Sequence, residues 1–388
     1  MNKVFITSMG TITNLGSTLE SFWDGINSKF VEDPCLIKFP IELPKNIDRK
    51  ISRRMDRFSR MNLSVSKIVM ENYLNKYGDY HNKNIGTVFN TGYGSIQSNL
   101  AFNEQIHTAG VDMVSPTLFT NTVSNVGLGH TCMQLGLKGA STMLMGSNAV
   151  SYASDLLKCN KADGILCCGV DEFNEDLHES FIRTSFTTKD NCYLCRPLDK
   201  NRDGTRITEG AGAILLESNI DIQSNPDKIF CEILGYANST SFDFPVCDRE
   251  MFVNVMKSAI ENSSVTLDEI DGVIMGAGGG KYSDQAEAKA LHQIFGKRCS
   301  SIPVTSIKGA IGETMGASFI LNTIAGALTL VKGVMPLTVG CEEPDPELNL
   351  NVVYDDPQCG DYKVILINGF DVSGCLFSVV LGKRGEKL

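Results

Sequence analysis

Eight short apolar runs, separated by longer stretches of helical pattern, constrain this chain most. They are KVFITSMG, IGTVFNTG, GILCCGV, GAILLE, KIFCEILGYA, DGVIMGAGG, VILING and FSVVLG. Runs of this kind, with little polar alternation, read as strands covered by helices on both faces of a parallel or mixed sheet. Some of them resemble one another. KADGILCCGVDE corresponds to EIDGVIMGAGGG, and KVFITSMGTITN to CEILGYANSTS. A repeat on this scale points to two fused α/β halves. The expected division is residues 1–218, with cap insertions, and residues 219–388, with the boundary between Ser218 and Lys228.

Composition removes several function classes. With 388 residues, 42% of them hydrophobic, and 36 Gly, the chain can bury a large core. A formal charge of −10 argues against nucleic acid, which is held by clustered Lys and Arg. Thirteen Cys without framework spacing indicate a reducing compartment, so a cytoplasmic location is expected. CYLC, Cys192 to Cys195, lacks the second pair that a zinc site needs, so no metal is expected. Cys167 and Cys168 sit inside an apolar run and should pack within a strand. MNKVFITSMG has no apolar signal core and reads as a first strand. The longest uncharged run, Thr314 to Val331, has 18 residues, but Ser318, Asn322, Thr323 and its glycines mark a buried helix and no membrane span.

One stretch has the layout of a catalytic elbow. GLKGASTMLMGSNAVSYASDLLKCNKADGILCCGVDE, Gly136 to Glu172, reads as strand, glycine turn and helix. Such a turn exposes a Ser or Cys where amides of the helix N-terminus stabilise negative charge. Here the apex is MGSNAV, and Ser147 stands outside any GxSxG spacing. A hydrolase or acyltransferase built on Ser147 also lacks an assignable base among His81, His107, His130, His178 and His292. GAGGGKYS does not match a phosphate-binding loop, because Met275 replaces the first Gly and Tyr282 follows Lys281. It reads as a turn at a strand end.

Three segments together carry a family resemblance over nearly the whole chain. VFITSMGTITNLGSTLESFWDGI, NTVSNVGLGHTCMQLGLKG and RPLDKNRDGTRITEGAGAILLE resemble the β-ketoacyl synthases. The resemblance implies an α/β thiolase fold, two similar halves in an α-β-α-β-α layering, and no cofactor. Active members of that family hold the growing acyl chain on a Cys and use two His for decarboxylative condensation. Counting forward, the Cys position falls on Asn148, beside Ser147; counting backward it falls on Met143, which would shorten the following helix by more than a turn. The first His position falls on Gly276 or Ala277. The second falls on Glu313, after a retained Lys308. A carboxylate there is expected to repel a malonyl carboxylate by about 4 kcal/mol at 4 Å. NGFDVSGC also departs from the family's phenylalanine-glycine gate. His130 should be a packed structural residue.

A member that keeps the fold and loses the triad resembles the chain length factors of type II polyketide synthases, including the aryl-polyene type. The resemblance implies a catalytic ketosynthase partner in a heterodimer, an acyl carrier protein served through that complex, and a tunnel shaped at the interface. SIQSNLAF and SPTLFTNTV would supply the tunnel residues Asn99, Phe102, Leu118 and Phe119. A pure structural partner of a ketosynthase is the alternative. KNIDRKISRRMDRFSR, Lys45 to Arg60, carries seven basic residues and two Asp. Its i, i+4 spacing predicts Arg49, Arg53 and Arg57 on one helical face. Arg53 and Arg54 match the family's carrier-docking positions, with a solvated charged face as the plainer reading.

Overall fold

The apolar runs become strands of one mixed sheet in a computed structural model that describes residues 2–30, 37–41, 47, 49–146, 149–184, 186–189, 194–218, 229–240, 248–371 and 373–383. The first five strands are β1 (Val4–Ile12), β2 (Ile85–Thr91), β3 (Ser141–Met145), β4 (Gly164–Asp171) and β5 (Gly210–Ser218). The rest are β6 (Cys231–Thr240), β7 (Gly272–Ile274), β8 (Pro303–Thr305), β9 (Val334–Met335), β10 (Asn351–Val352), β11 (Gln358–Cys359), β12 (Val364–Phe370) and β13 (Cys375–Lys383). β9 and β11 form a separate two-stranded ribbon, and the other eleven run in the order β10-β8-β7-β12-β13-β6-β1-β5-β4-β2-β3.

The order mirrors itself about the β6–β1 junction. β1, β5, β4, β2 and β3 on one side answer to β6, β13, β12, β7 and β8 on the other. The pairing of β1 with β6 read from the sequence therefore holds. The pairing of KADGILCCGVDE with EIDGVIMGAGGG does not: the first is β4, the second is β7, and the position of β7 makes it the counterpart of β2. An Asp-Gly entering a short buried strand recurs for local reasons, so similarity over a dozen residues misassigned the register of the repeat.

Two helices fill the space between the halves. Ala149–Lys158 and Ser318–Lys332 share one apolar core with strands from both sides. The Met315–Lys332 stretch is apolar and long enough to cross a membrane, yet 89% of it is buried inside the fold. Its polar residues bond inward: Thr323 and Thr329 donate to the carbonyls of Phe319 and Ala325, and Asn322 donates to Asn368 O at 3.1 Å. Ile320, Leu321, Ile324 and Leu330 are fully buried, each worth about 1.5–3 kcal/mol of transfer from water. Outer layers complete the thiolase fold. Arg57–Tyr77 and Val126–Leu135 cover the first half over a second core, and Arg249–Ser263 and Lys281–Phe295 cover the second half over a third. Cys167 and Cys168 are fully buried in β4, as a strand-packing role requires.

Candidate functional site

Gly276 lies just past β7, and its amide donates to Glu287 Oε1 at 3.0 Å. Space forbids a larger residue without movement, since a Cβ there would come within 3.1 Å of the Phe370 ring. Asp284, in the first turn of Lys281–Phe295, accepts the amides of Gly278 and Gly279 at 3.1 Å each and lies 4.0 Å from Arg202 Nε. Glu287, one turn on, also accepts from Asn368 Nδ2 at 3.1 Å, while its Oε2 is buried without a hydrogen-bond partner among the described residues. Burial pushes its carboxyl up to about 7. The turn is thus a backbone cradle around two carboxylates. Ala277 is buried beside it, its carbonyl accepting Ser306 Oγ at 2.5 Å.

Lys308 and Glu313 form a buried ion pair, Nζ to Oε2 at 2.5 Å, with side-chain exposures of 1% and 2%. The ammonium also sits 4.7 Å above the Phe370 ring centre. The other carboxylate oxygen accepts Met315 N at 2.8 Å and Ser318 Oγ at 2.5 Å. This turn holds Met315 at a φ of 52°, a left-handed conformation rare for its type. The expected repulsion of a malonyl carboxylate by Glu313 does not survive the geometry. Lys308 neutralises that charge, so the position is blocked by a saturated ion pair and not by free negative charge.

Just past β3, Gly146 takes a φ of 98° and donates its amide to Thr91 O at 2.8 Å. A helix follows from Ala149. Ser147, the available hydroxyl at this elbow, and Asn148, where the family's Cys position falls, lie outside the described residues. Met143, the backward count, is paired with Phe89 in the middle of β3, so that count is excluded as an elbow position. Against Gly146 lies Asp371, the Asp of NGFDVSGC: a Cβ on the glycine would stand 3.2 Å from Asp371 Oδ2. Its other oxygen accepts Ser373 N at 2.9 Å and Cys375 N at 3.3 Å. Asp171, at the end of β4, accepts Thr91 Oγ1 and the amides of Gly92, Tyr93 and Gly316 at 2.6–2.9 Å. Burial lifts Asp171 to about 6 against these four donors. Tyr93 rises to about 12, through burial first and then the charges of Asp171 and Asp371. A carboxylate at the elbow opposes the thiolate or enolate that a condensing site must stabilise.

Glu172 reaches the first turn of the helix Ile96–Ala109, which follows β2, and accepts Gln97 N at 3.0 Å; its Oε2 is buried and unpartnered among the described residues. Burial, with Asp56 and Asp171 adding and Arg57 opposing, raises it to about 8. Sequence reading passed over Asp171, Glu172, Glu287 and Asp371. For Asp171, Glu172 and Asp371 the only signal was an acidic residue at the end of an apolar strand run; Glu287, inside the helix Lys281–Phe295, had none.

The tunnel candidates do come together. Asn99 donates to Ser95 O and Thr122 O, Phe102 packs on Phe119 at 5.6 Å between ring centres, Leu118 is half-buried, and Phe119 is 60% exposed. The basic segment is corrected. Its helix stops at Ser52, and a new one begins at Arg57 with Asp56 as N-cap. Arg57 turns inward to a bidentate pair with the buried Glu209, while Arg53 and Arg54 stay exposed. The predicted single arginine face therefore does not form. The described histidines serve elsewhere: His130 is half-buried with its pKa lowered by burial, and His292 bonds Leu348 O at 2.9 Å.

Comparison with known proteins agrees with this fold. The Beta-ketoacyl synthase, N-terminal domain model matches residues 35–221, and the C-terminal domain model matches residues 230–342. The chain is 25% identical over 398 residues to a 3-oxoacyl-(acyl-carrier-protein) synthase 2 of Synechocystis sp., covering 96% of each. A β-ketoacyl synthase of Burkholderia phymatum superposes with a TM-score of 0.88 at 21% identity, over 99% of this chain and 100% of that one. The ishigamide ketosynthase/chain length factor superposes at 0.86 with 22% identity, over 99% and 100%. The chain belongs to the β-ketoacyl synthase family.

Proposed function

We propose that this chain is a non-catalytic partner of a ketosynthase, acting as a chain length factor in type II polyketide assembly of the aryl-polyene kind. The observation that carries the reading is the state of the two histidine positions. Gly276 offers only a backbone amide to Glu287, and Glu313 is consumed by Lys308. Neither can donate a proton or a neutral imidazole to a decarboxylating malonyl group. The likeness to the ishigamide ketosynthase/chain length factor supports the direction of the reading. A relative named as a synthase is 25% identical and the ishigamide neighbour 22%, so identity does not decide between them and the two histidine positions carry the reading.

Pairing has its own support. Residues 111–148 contain two charged residues, Asp112 and Lys138, where the chain average of 21% would place about eight. This segment exposes Val111, Met113, Phe119, Val123, Met133 and Met145, each by more than half. β3 within it is a sheet edge, paired with β2 on one side only. Uncharged surface beside open main-chain donors is what a strand-adding partner covers. Arg53 and Arg54 are proposed as a carrier-protein contact of the assembled pair.

The test is acyl loading. The isolated chain, incubated with an acyl carrier protein, is expected to show no acyl adduct by intact-protein mass spectrometry, while the co-expressed ketosynthase loads. A stoichiometric adduct on Ser147 or any Cys of this chain overturns the non-catalytic reading.

A further inference from the structure

Gly129 stands in the interior of the helix Val126–Leu135, donating its amide to Asn125 O at 3.0 Å. Glycine is, after proline, the poorest residue for that position. Two reasons normally excuse it, a left-handed φ or a neighbour too close for a Cβ. Neither applies. Gly129 is helical, and a Cβ built on it meets nothing within 4 Å. The other described glycines with that much room, Gly78, Gly110 and Gly296, all have positive φ at helix ends. Nothing among the described residues explains the missing Cβ.

The surroundings say what does. Met133, one turn along on the same face, is 69% exposed, and Val123, just before the helix, is 52% exposed. On the flank of that same exposed side, one turn along from Gly129, Cys132 Sγ lies 3.6 Å from Ser141 Oγ at the start of β3. The outward face of Val126–Leu135 is therefore continuous with the open edge of β3. That edge calls for a main-chain partner, and a chain of the same fold carries a matching edge. We propose that Gly129 is a contact point built for the ketosynthase subunit, whose main chain packs over Val126–Leu135 at a distance no side chain allows. This rests on the pairing role proposed above.

The experiment follows from the open space. Gly129→Ala and Gly129→Leu fit the isolated chain and improve helix propensity, so Tm stays level or rises. In the complex they intrude. Co-expressed with the tagged catalytic ketosynthases of the same genome, tested one at a time, Gly129→Leu is expected to weaken the pair by about ten- to a hundredfold, as overpacking does. Gly129→Ala should weaken it less. Wild-type affinity in Gly129→Leu, or a lowered Tm of the isolated variant, overturns the inference. Met145→Glu distinguishes the two levels: if it abolishes pairing while Gly129→Leu does not, only the contact at Gly129 is wrong. If neither matters, the pairing face itself is wrong.

Discussion

At the scale of single residues, Lys308, Glu313 and the carboxyls around them are buried, and buried charge is testable through stability. Removing one member of the Lys308–Glu313 pair strands the other in a site about 1–2% exposed. Lys308→Met should cost about 3–5 kcal/mol, read as a fall in the urea midpoint. Adding Glu313→Gln should recover most of it, since an amide oxygen still accepts Met315 N and Ser318 Oγ. A single variant as stable as wild type would mean that the pair is not buried as described. The raised carboxyls give a second test. Asp171 at about 6, Glu287 at about 7 and Glu172 at about 8 hold protons in the folded state that the unfolded chain releases near pH 4. Their contribution is complete below that value and is lost as pH rises through the folded pKa values. Stability should therefore decline between about pH 5 and 8, and Glu172→Gln, which keeps its acceptor for Gln97 N, should flatten the upper part of that decline. Equal pH slopes for variant and wild type would exclude the assignment.

At the scale of elements, Ile96–Ala109 and Pro116–Thr120 form a small unit, joined by Asn99 to Thr122 O at 2.9 Å and by the Phe102–Phe119 contact. If the partner's acyl chain ends against this unit, each added methylene must enter packed space at about 1–3 kcal/mol. Phe102→Ala, Leu118→Ala and Phe119→Ala in the reconstituted pair should each lengthen the product by one or more units without stopping turnover. An unchanged product distribution from all three, with the pair intact, would assign length control elsewhere. Elements also show what was legible beforehand. Long apolar runs such as GILCCGV and FSVVLG gave their strands directly, because burial on both faces leaves a one-dimensional mark. β8 and β10 were not read, since two or three residues carry no period. The positions Gly276 and Glu313 were found by segment matching, but the Lys308 contact that neutralises Glu313 depends on a turn through Met315 that no spacing encodes. The break at Ser52 was missed for the opposite reason: i, i+4 arithmetic assumes the helix continues.

At the scale of the whole molecule, one end of the eleven-stranded sheet is closed less well than the other parts of the fold. β3 is exposed at Ser141 and Met145, with half-buried residues between, whereas β4 next to β2 is buried throughout. An open edge beside the helix Val126–Leu135, with Met133 and Met145 exposed, binds a complementary edge or aggregates. A partner that binds only the folded chain stabilises it by mass action, about 2.7 kcal/mol when the partner is present at a hundred times Kd. The unfolding midpoint of this chain should then climb with ketosynthase concentration, and the isolated chain should self-associate in size-exclusion light scattering. Met145→Glu puts a charge on the rim of that edge and should abolish both effects while leaving the buried core untouched. A midpoint that ignores every ketosynthase, together with a monodisperse monomer, would make this face ordinary surface and remove the physical basis for pairing.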